Sequence, residues 1–108
     1  MAGFTRIARC DEIPPGEGKA FTIGNRSVAV FNVGGSFHAI DNTCPHMGAP
    51  LAAGYLDGHL IVCPWHAWTF DVRDGCFAMH PEAGVDSFPL EIENGEILVE
   101  VPSTKTGR

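Results

Sequence analysis

Residues 19–41 read KAFTIGNRSVAVFNVGGSFHAID, and this stretch decides the fold class. Alternation of apolar and polar residues dominates the chain, and here the segments Lys19–Ile23, Ser27–Val33 and Ser36–Asp41 are separated by Gly24-Asn25 and Gly34-Gly35. A period of two is the strand period. Two-residue connections of Gly and Asn supply the positive φ that tight hairpin turns demand. The stretch therefore predicts two consecutive β-hairpins. Working outward, Phe4–Arg9 reads as a first strand, followed by a turn forced at Pro14-Pro15-Gly16. Leu60–Cys63 and Trp68–Val72 read as short strands on either side of a Pro64-Trp65-His66 loop. Leu90–Glu93 and Glu96–Val101 read as a last hairpin over Asn94-Gly95, the strongest turn signal in the chain. Helical periodicity is nearly absent, and only Pro50–Tyr55 has room for a short helical turn. Ser103–Arg108 reads as a frayed tail. The expectation is one all-β domain of short antiparallel strands over residues 1–102, followed by a flexible tail at 103–108. Residues 42–81 form a loop-rich insertion between the first four strands and the last two.

Composition narrows the function classes. The 108 residues fit one domain and leave no room for a separate nucleotide-binding or catalytic one. Thirteen Asp and Glu against seven Lys and Arg give a net charge of −6. That balance argues against nucleic acid, whose phosphates require a basic face. No apolar stretch approaches the roughly 20 residues of a membrane helix. Met1-Ala2-Gly3-Phe4-Thr5-Arg6 has no apolar run behind its basic residue, so no secretory signal is expected and the cytoplasm is the expected compartment. Structural disulfides are rare there, which turns attention to metal or redox roles for the four Cys.

Two of those cysteines stand in a constellation. Cys44-Pro45-His46 and Cys63-Pro64-Trp65-His66 each set one thiol and one imidazole at short range on a loop, with sixteen residues between the pairs. The Pro after each Cys stiffens its loop by fixing φ. Two thiolates and two imidazoles can bind zinc or an iron–sulfur cluster. A structural zinc finger places its two Cys on one loop and its two His on a helix, whereas each loop here is mixed. Mixed loops suit a two-iron cluster whose irons have different ligand sets, Cys44 and Cys63 on one and His46 and His66 on the other. A single Cys or His at any of these positions would read as a core or surface residue; four in two Cys-Pro loops do not. Cys10 and Cys76 have no partner at ligand spacing and read as ordinary thiols. His38, His59 and His80 read as surface or strand residues, and Trp65, Trp68 and Phe70 as cover for the centre.

With these loops the chain resembles the Rieske [2Fe–2S] proteins, whose signature is Cys-x-His followed by Cys-x-x-His. The resemblance extends from Asp41-Asn42-Thr43 through Cys44-Pro45-His46-Met47-Gly48, Gly54-Tyr55-Leu56-Asp57-Gly58 and Cys63-Pro64-Trp65-His66-Ala67-Trp68-Thr69-Phe70-Asp71 to the turn at Asp74-Gly75. It implies a sandwich or partly open barrel of short antiparallel strands with a cluster-binding subdomain near 42–81. It also implies one [2Fe–2S] cluster held by Cys44, His46, Cys63 and His66, with His46 and His66 forming the electron port. High-potential members carry a further Cys in each loop, joined as a disulfide; the corresponding positions here are Ala49 and Trp65. Those members also place a Ser and a Tyr after the last ligand as hydrogen-bond donors to the cluster, where this chain has Trp68 and Phe70. Fewer donors toward the sulfurs lower the potential, so a value on the order of −150 mV rather than +300 mV is expected. The absence of Lys and Arg from Ser27 to Val72, where Asp41, Asp57 and Asp71 lie, points the same way.

Low potential and small size resemble the soluble Rieske ferredoxins of bacterial aromatic-ring dioxygenase systems. The resemblance implies a one-electron carrier between a flavin reductase and a terminal oxygenase, not an enzyme in its own right. No Gly-x-Gly-x-x-Gly lies between a strand and a helix to bind NAD or flavin. Two alternatives stand beside it: the small subunit of an assimilatory NAD(P)H nitrite reductase, and a zinc-stabilised β module serving only in interaction. Glu82, Asp86, Glu91, Glu93, Glu96 and Glu100 crowd the C-terminal third and read as a solvated face.

Overall fold

The computed structural model describes residues 4–24, 26–44, 49–64, 68–77 and 84–101. In chain order the strands are β1 (Phe4–Arg9), β2 (Gly18–Ile23), β3 (Arg26–Val33), β4 (Ser36–Asp41), β5 (Tyr55–Asp57), β6 (Leu60–Val62), β7 (Thr69–Asp71), β8 (Ser87–Phe88), β9 (Leu90–Glu93) and β10 (Glu96–Glu100). They form three antiparallel sheets in the orders β1-β10-β9, β2-β3-β4-β8 and β5-β6-β7. The all-β antiparallel expectation holds, and the barrel is not closed. The tail read at 103–108 and the Asn25 half of the first turn lie outside the described residues.

β3 organises the molecule. Val28, Ala29, Val30 and Phe31 are all fully buried, so this strand is a continuous apolar run rather than an alternating one. A strand buried on both faces reads this way. Val28 and Val30 point into one core with Ala39, Phe88, Ile97 and Val99, closed by the β1-β10-β9 sheet. Ala29 and Phe31 point into a second core with Ile40, Ile61, Phe70 and Val72, closed by the β5-β6-β7 sheet. The central sheet thus separates the core closed by β1-β10-β9 from the layer that carries the cysteine loops.

Three features differ from the sequence reading. Segment 42–81 holds a third strand, β5, paired with β6 through Tyr55↔Val62 and Asp57↔Leu60. β8 adds to the edge of β4 through Ala39↔Phe88 and Ile40↔Ser87, so among the described residues three strands rather than two follow the insertion. Strands of two and three residues are too short to display a period. The helical turn expected near Pro50–Tyr55 is a 3₁₀ turn at Leu51–Ala53, and a second one at Cys10–Glu12 was not anticipated. The hairpin over Asn94-Gly95 is as read, with φ of 54° and 77° at its two central residues.

Candidate metal centre

The first loop grows from the end of β4. Asn42 is almost fully buried and clasps three segments together. Its N–H donates to the Ser27 carbonyl (3.0 Å), and its carbonyl accepts from the Leu51 N–H (2.6 Å). Its Nδ2 donates to Ser27 Oγ (3.1 Å), while its Oδ1 accepts from the Ala52 N–H (2.8 Å). One residue therefore joins the loop's start, its 3₁₀ exit and the base of β3. Above this clasp, Thr43 and Pro50 form a β-bridge, and the Cys44 N–H donates to the Ala49 carbonyl (2.9 Å).

The second loop joins β6 to β7 and repeats the device. Val62 pairs with Thr69, and the Cys63 N–H donates to the Trp68 carbonyl (2.7 Å). Each cysteine thus opens a loop by donating to the carbonyl five residues ahead. Gly54 brings the two loops together, because a Cβ at this position would overlap the Val62 carbonyl directly before Cys63. As a result Cys44 (0% exposed) and Cys63 (2% exposed) share one buried cluster with Ala49, Leu51, Ile61 and Phe70. An aromatic group flanks them. Trp68 stacks on Phe77 with centroids 4.5 Å apart, and Phe70 lies 5.4 Å from Phe77. Phe70 is fully buried.

The electrostatics differ from the sequence reading in one respect. Of the three aspartates between Ser27 and Val72, two are met by arginines just outside that stretch. Arg26 Nη2 lies 3.2 Å from both Asp41 and Asp86. Arg73 donates to Asp71 from Nε (3.0 Å) and Nη2 (2.8 Å), which holds the Asp71 carboxyl below its ordinary pKa. Burial lowers the pKa of His38 on β4. His59 sits half-buried in the β5–β6 turn, with Nε2 3.8 Å from Asp71. Cys10 and Cys76 are half-buried thiols away from the paired loops, and the hydrogen bond to Asp74 pushes the Cys76 thiol up.

The structure therefore brings Cys44 and Cys63 together and separates Cys10, Cys76, His38 and His59 from them. His46, His66, His80 and Trp65 lie outside the described residues. Among the described residues no group of three or more His, Cys, Asp and Glu side chains could hold a metal, so two buried sulfurs are the described donors. Paired soft sulfur donors among apolar side chains fit an iron–sulfur cluster. Asn42 and Gly54, quoted in the motif without a role, and Phe77, not singled out at all, are contributors whose part the sequence reading missed. The buried Asn between Asp41 and Thr43 was the one visible signal, since an Asn leading into a ligand loop is placed to bind backbone groups.

A family model described as the Rieske [2Fe-2S] domain matches residues 3–89. The chain belongs to the Rieske [2Fe-2S] family. A [2Fe–2S] cluster is the cofactor of this family, and the zinc-stabilised alternative falls. The Rieske chain is 35% identical over 105 residues to the 3-phenylpropionate/cinnamic acid dioxygenase ferredoxin subunit of Shigella flexneri, covering 94% of this chain and 99% of that one. It superposes with a TM-score of 0.82 and 32% identity on a chain from the complex of reduced oxygenase and oxidized ferredoxin in carbazole 1,9a-dioxygenase, covering 90% and 92% of the two chains. A Mycobacterium tuberculosis chain provisionally assigned as an NADH-dependent nitrite reductase small subunit superposes with a TM-score of 0.86 at 25% identity, covering 96% and 99%. Among the described residues no helix is long and apolar enough to cross a membrane.

Proposed function

We propose that this Rieske chain is a one-electron carrier of a multicomponent aromatic-ring dioxygenase, taking electrons from a flavin-dependent ferredoxin reductase and delivering them to a terminal oxygenase. In that role it is an electron-transfer component rather than an enzyme, and it works in the cytoplasm. Cys44 and Cys63 hold one iron of the cluster, and His46 and His66, each inside the loop its cysteine opens, hold the other. The cluster-binding subdomain spans about 42–81 within a single domain of residues 1–102. The observation that carries the reading is the co-burial of Cys44 and Cys63 at equivalent points of two adjacent loops. The cluster supplies a reversible one-electron couple; the chain supplies ligands, a dry apolar backing and a small body for transient docking.

Reconstitution tests the function. The cluster-loaded chain, a dioxygenase ferredoxin reductase with NADH, and a terminal oxygenase with its aromatic substrate should give cis-diol product that depends on the chain. Absence of product with any such pair, together with support of nitrite reduction in a sirohaem reductase, would favour the nitrite reductase reading. The fold similarity to a nitrite reductase small subunit keeps that reading in play, while the higher identity to dioxygenase ferredoxins ranks it second.

A further inference from the structure

Phe77 lies outside both cysteine loops, yet its ring stacks on that of Trp68, with planes 13° apart. Trp68 is the residue whose carbonyl accepts the Cys63 N–H, and it packs on the buried cluster that contains Cys44 and Cys63. Phe77 is also held by contacts beyond that loop. It bridges Phe70 across the sheet, next to the Asp71 N–H to Cys76 carbonyl bond (2.9 Å). The turn between is pinned by the Gly75 N–H to the Asp71 carbonyl (2.7 Å) and by the Cys76 N–H to Asp74 Oδ1 (3.0 Å). From the far side, the Val85 N–H donates to the Gly75 carbonyl (2.7 Å). The backbones cross so closely there that a Cβ on Gly75 would overlap the Val85 carbonyl.

We propose that Phe77 is a positioning residue for the redox centre. Its stacking fixes the Trp68 ring, and through it both the carbonyl that closes the Cys63 loop and the exclusion of water from the cluster. The inference rests on the reading of Cys63 and His66 as ligands. Charge counting sets its sign. Two ferric ions, two sulfides and two thiolates sum to zero, so an added electron creates a net negative charge that nearby water stabilises and apolar surroundings do not. A smaller side chain at position 77 removes that stacking, leaves Trp68 only its remaining contacts such as that with Phe70 (centroids 6.5 Å apart), admits water and makes reduction easier.

The test uses the cluster-loaded full chain and the variants Phe77→Leu, Phe77→Tyr, Trp68→Leu and the double Phe77→Leu/Trp68→Leu. Iron, acid-labile sulfide, the reduced EPR spectrum and the midpoint potential are measured for each. Phe77→Leu should keep wild-type iron and sulfide and raise the reduced-to-oxidised ratio at fixed ambient potential about tenfold, or about 59 mV for one electron. Phe77→Tyr, which keeps the ring, should hold the wild-type potential. In the Trp68→Leu background the same Leu change should add less than about threefold. A wild-type potential in Phe77→Leu overturns the proposal, as does an equal shift with and without Trp68. If Phe77→Leu holds no cluster, Phe77→Met decides by the same potential criterion. A wild-type chain whose reduced spectrum lacks the low average g of mixed Cys and His ligation overturns the ligand reading instead, whatever the Phe77 variants do.

Discussion

Replacing Asn42 with alanine removes the clasp beneath the first cysteine loop while leaving every ligand candidate in place. Two hydrogen bonds are lost. Without Oδ1 the Ala52 N–H has no acceptor, a loss of about 1–3 kcal/mol for a buried donor. Without Nδ2 the bond to Ser27 Oγ goes, a net loss of about 0.5–1.5 kcal/mol. Ala52 and Ser27 are only half-buried, so water can replace part of this and the lower half of each range applies. The expected destabilisation is about 2 kcal/mol. With a urea slope of about 2 kcal/mol/M for a domain of this size, the midpoint should fall by about 1 M. The assay is urea titration of the freshly loaded protein, followed by far-UV circular dichroism for the fold and visible absorption for the cluster. Ser27→Ala is the control, since it removes only the weaker bond and should lower the midpoint by no more than about 0.5 M. The visible transition of Asn42→Ala should precede its far-UV transition, because the loop is released before the sheets. A midpoint within about 0.2 M of wild type, or equal effects of the two substitutions, would refute the clasp.

Four further outcomes follow from the same geometry. Cys44→Ala and Cys63→Ala should each abolish cluster assembly, measured as iron and sulfide per chain; full iron retention in either removes that cysteine from the ligand set. The midpoint potential should fall on the order of −150 mV, and a measured value well above zero would show that hydrogen bonds to the sulfurs are present after all. Asp71→Asn should flatten the acid limb of the stability curve. The folded pKa of Asp71 lies below its ordinary 3.8 because Arg73 binds the charged form, so its contribution is present above 3.8 and is lost as pH falls through the lower folded value. An unchanged acid limb, followed by circular dichroism, would contradict the Asp71–Arg73 pairing. Electron delivery to the oxygenase should slow with added salt if the exposed Glu91 and Glu93 steer docking; a salt-independent rate assigns them to solvation alone.

Much of the fold was legible because its signals are local. β1 and β4 have the ends read from alternation alone, and β9 begins and ends where the Asn94-Gly95 turn requires. The cysteine loops were legible as well, since residue type and spacing suffice to mark a mixed Cys/His donor set. Electrostatics were less so. Asp41 and Asp71 looked uncompensated within a stretch free of bases, yet Arg26 lies fifteen residues before one and Arg73 two residues after the other, and both fold back onto them. A charge count over a sequence window cannot follow a side chain across a strand pair.

By itself the sequence determined the longer strand segments, their hairpin turns and the two Cys-Pro loops, because propensity, period and turn chemistry act between neighbours along the chain. Tertiary structure alone decided that β3 is buried on both faces and that β8 closes the edge of β4. It also decided that Gly54 lets one loop lie against the other, so that Cys44 and Cys63 enter one core, and that Phe77 holds Trp68 from outside the loop. Each of these depends on a contact between segments distant in sequence. Such contacts are selected by how volumes fill a shared interior, and no single segment carries that information.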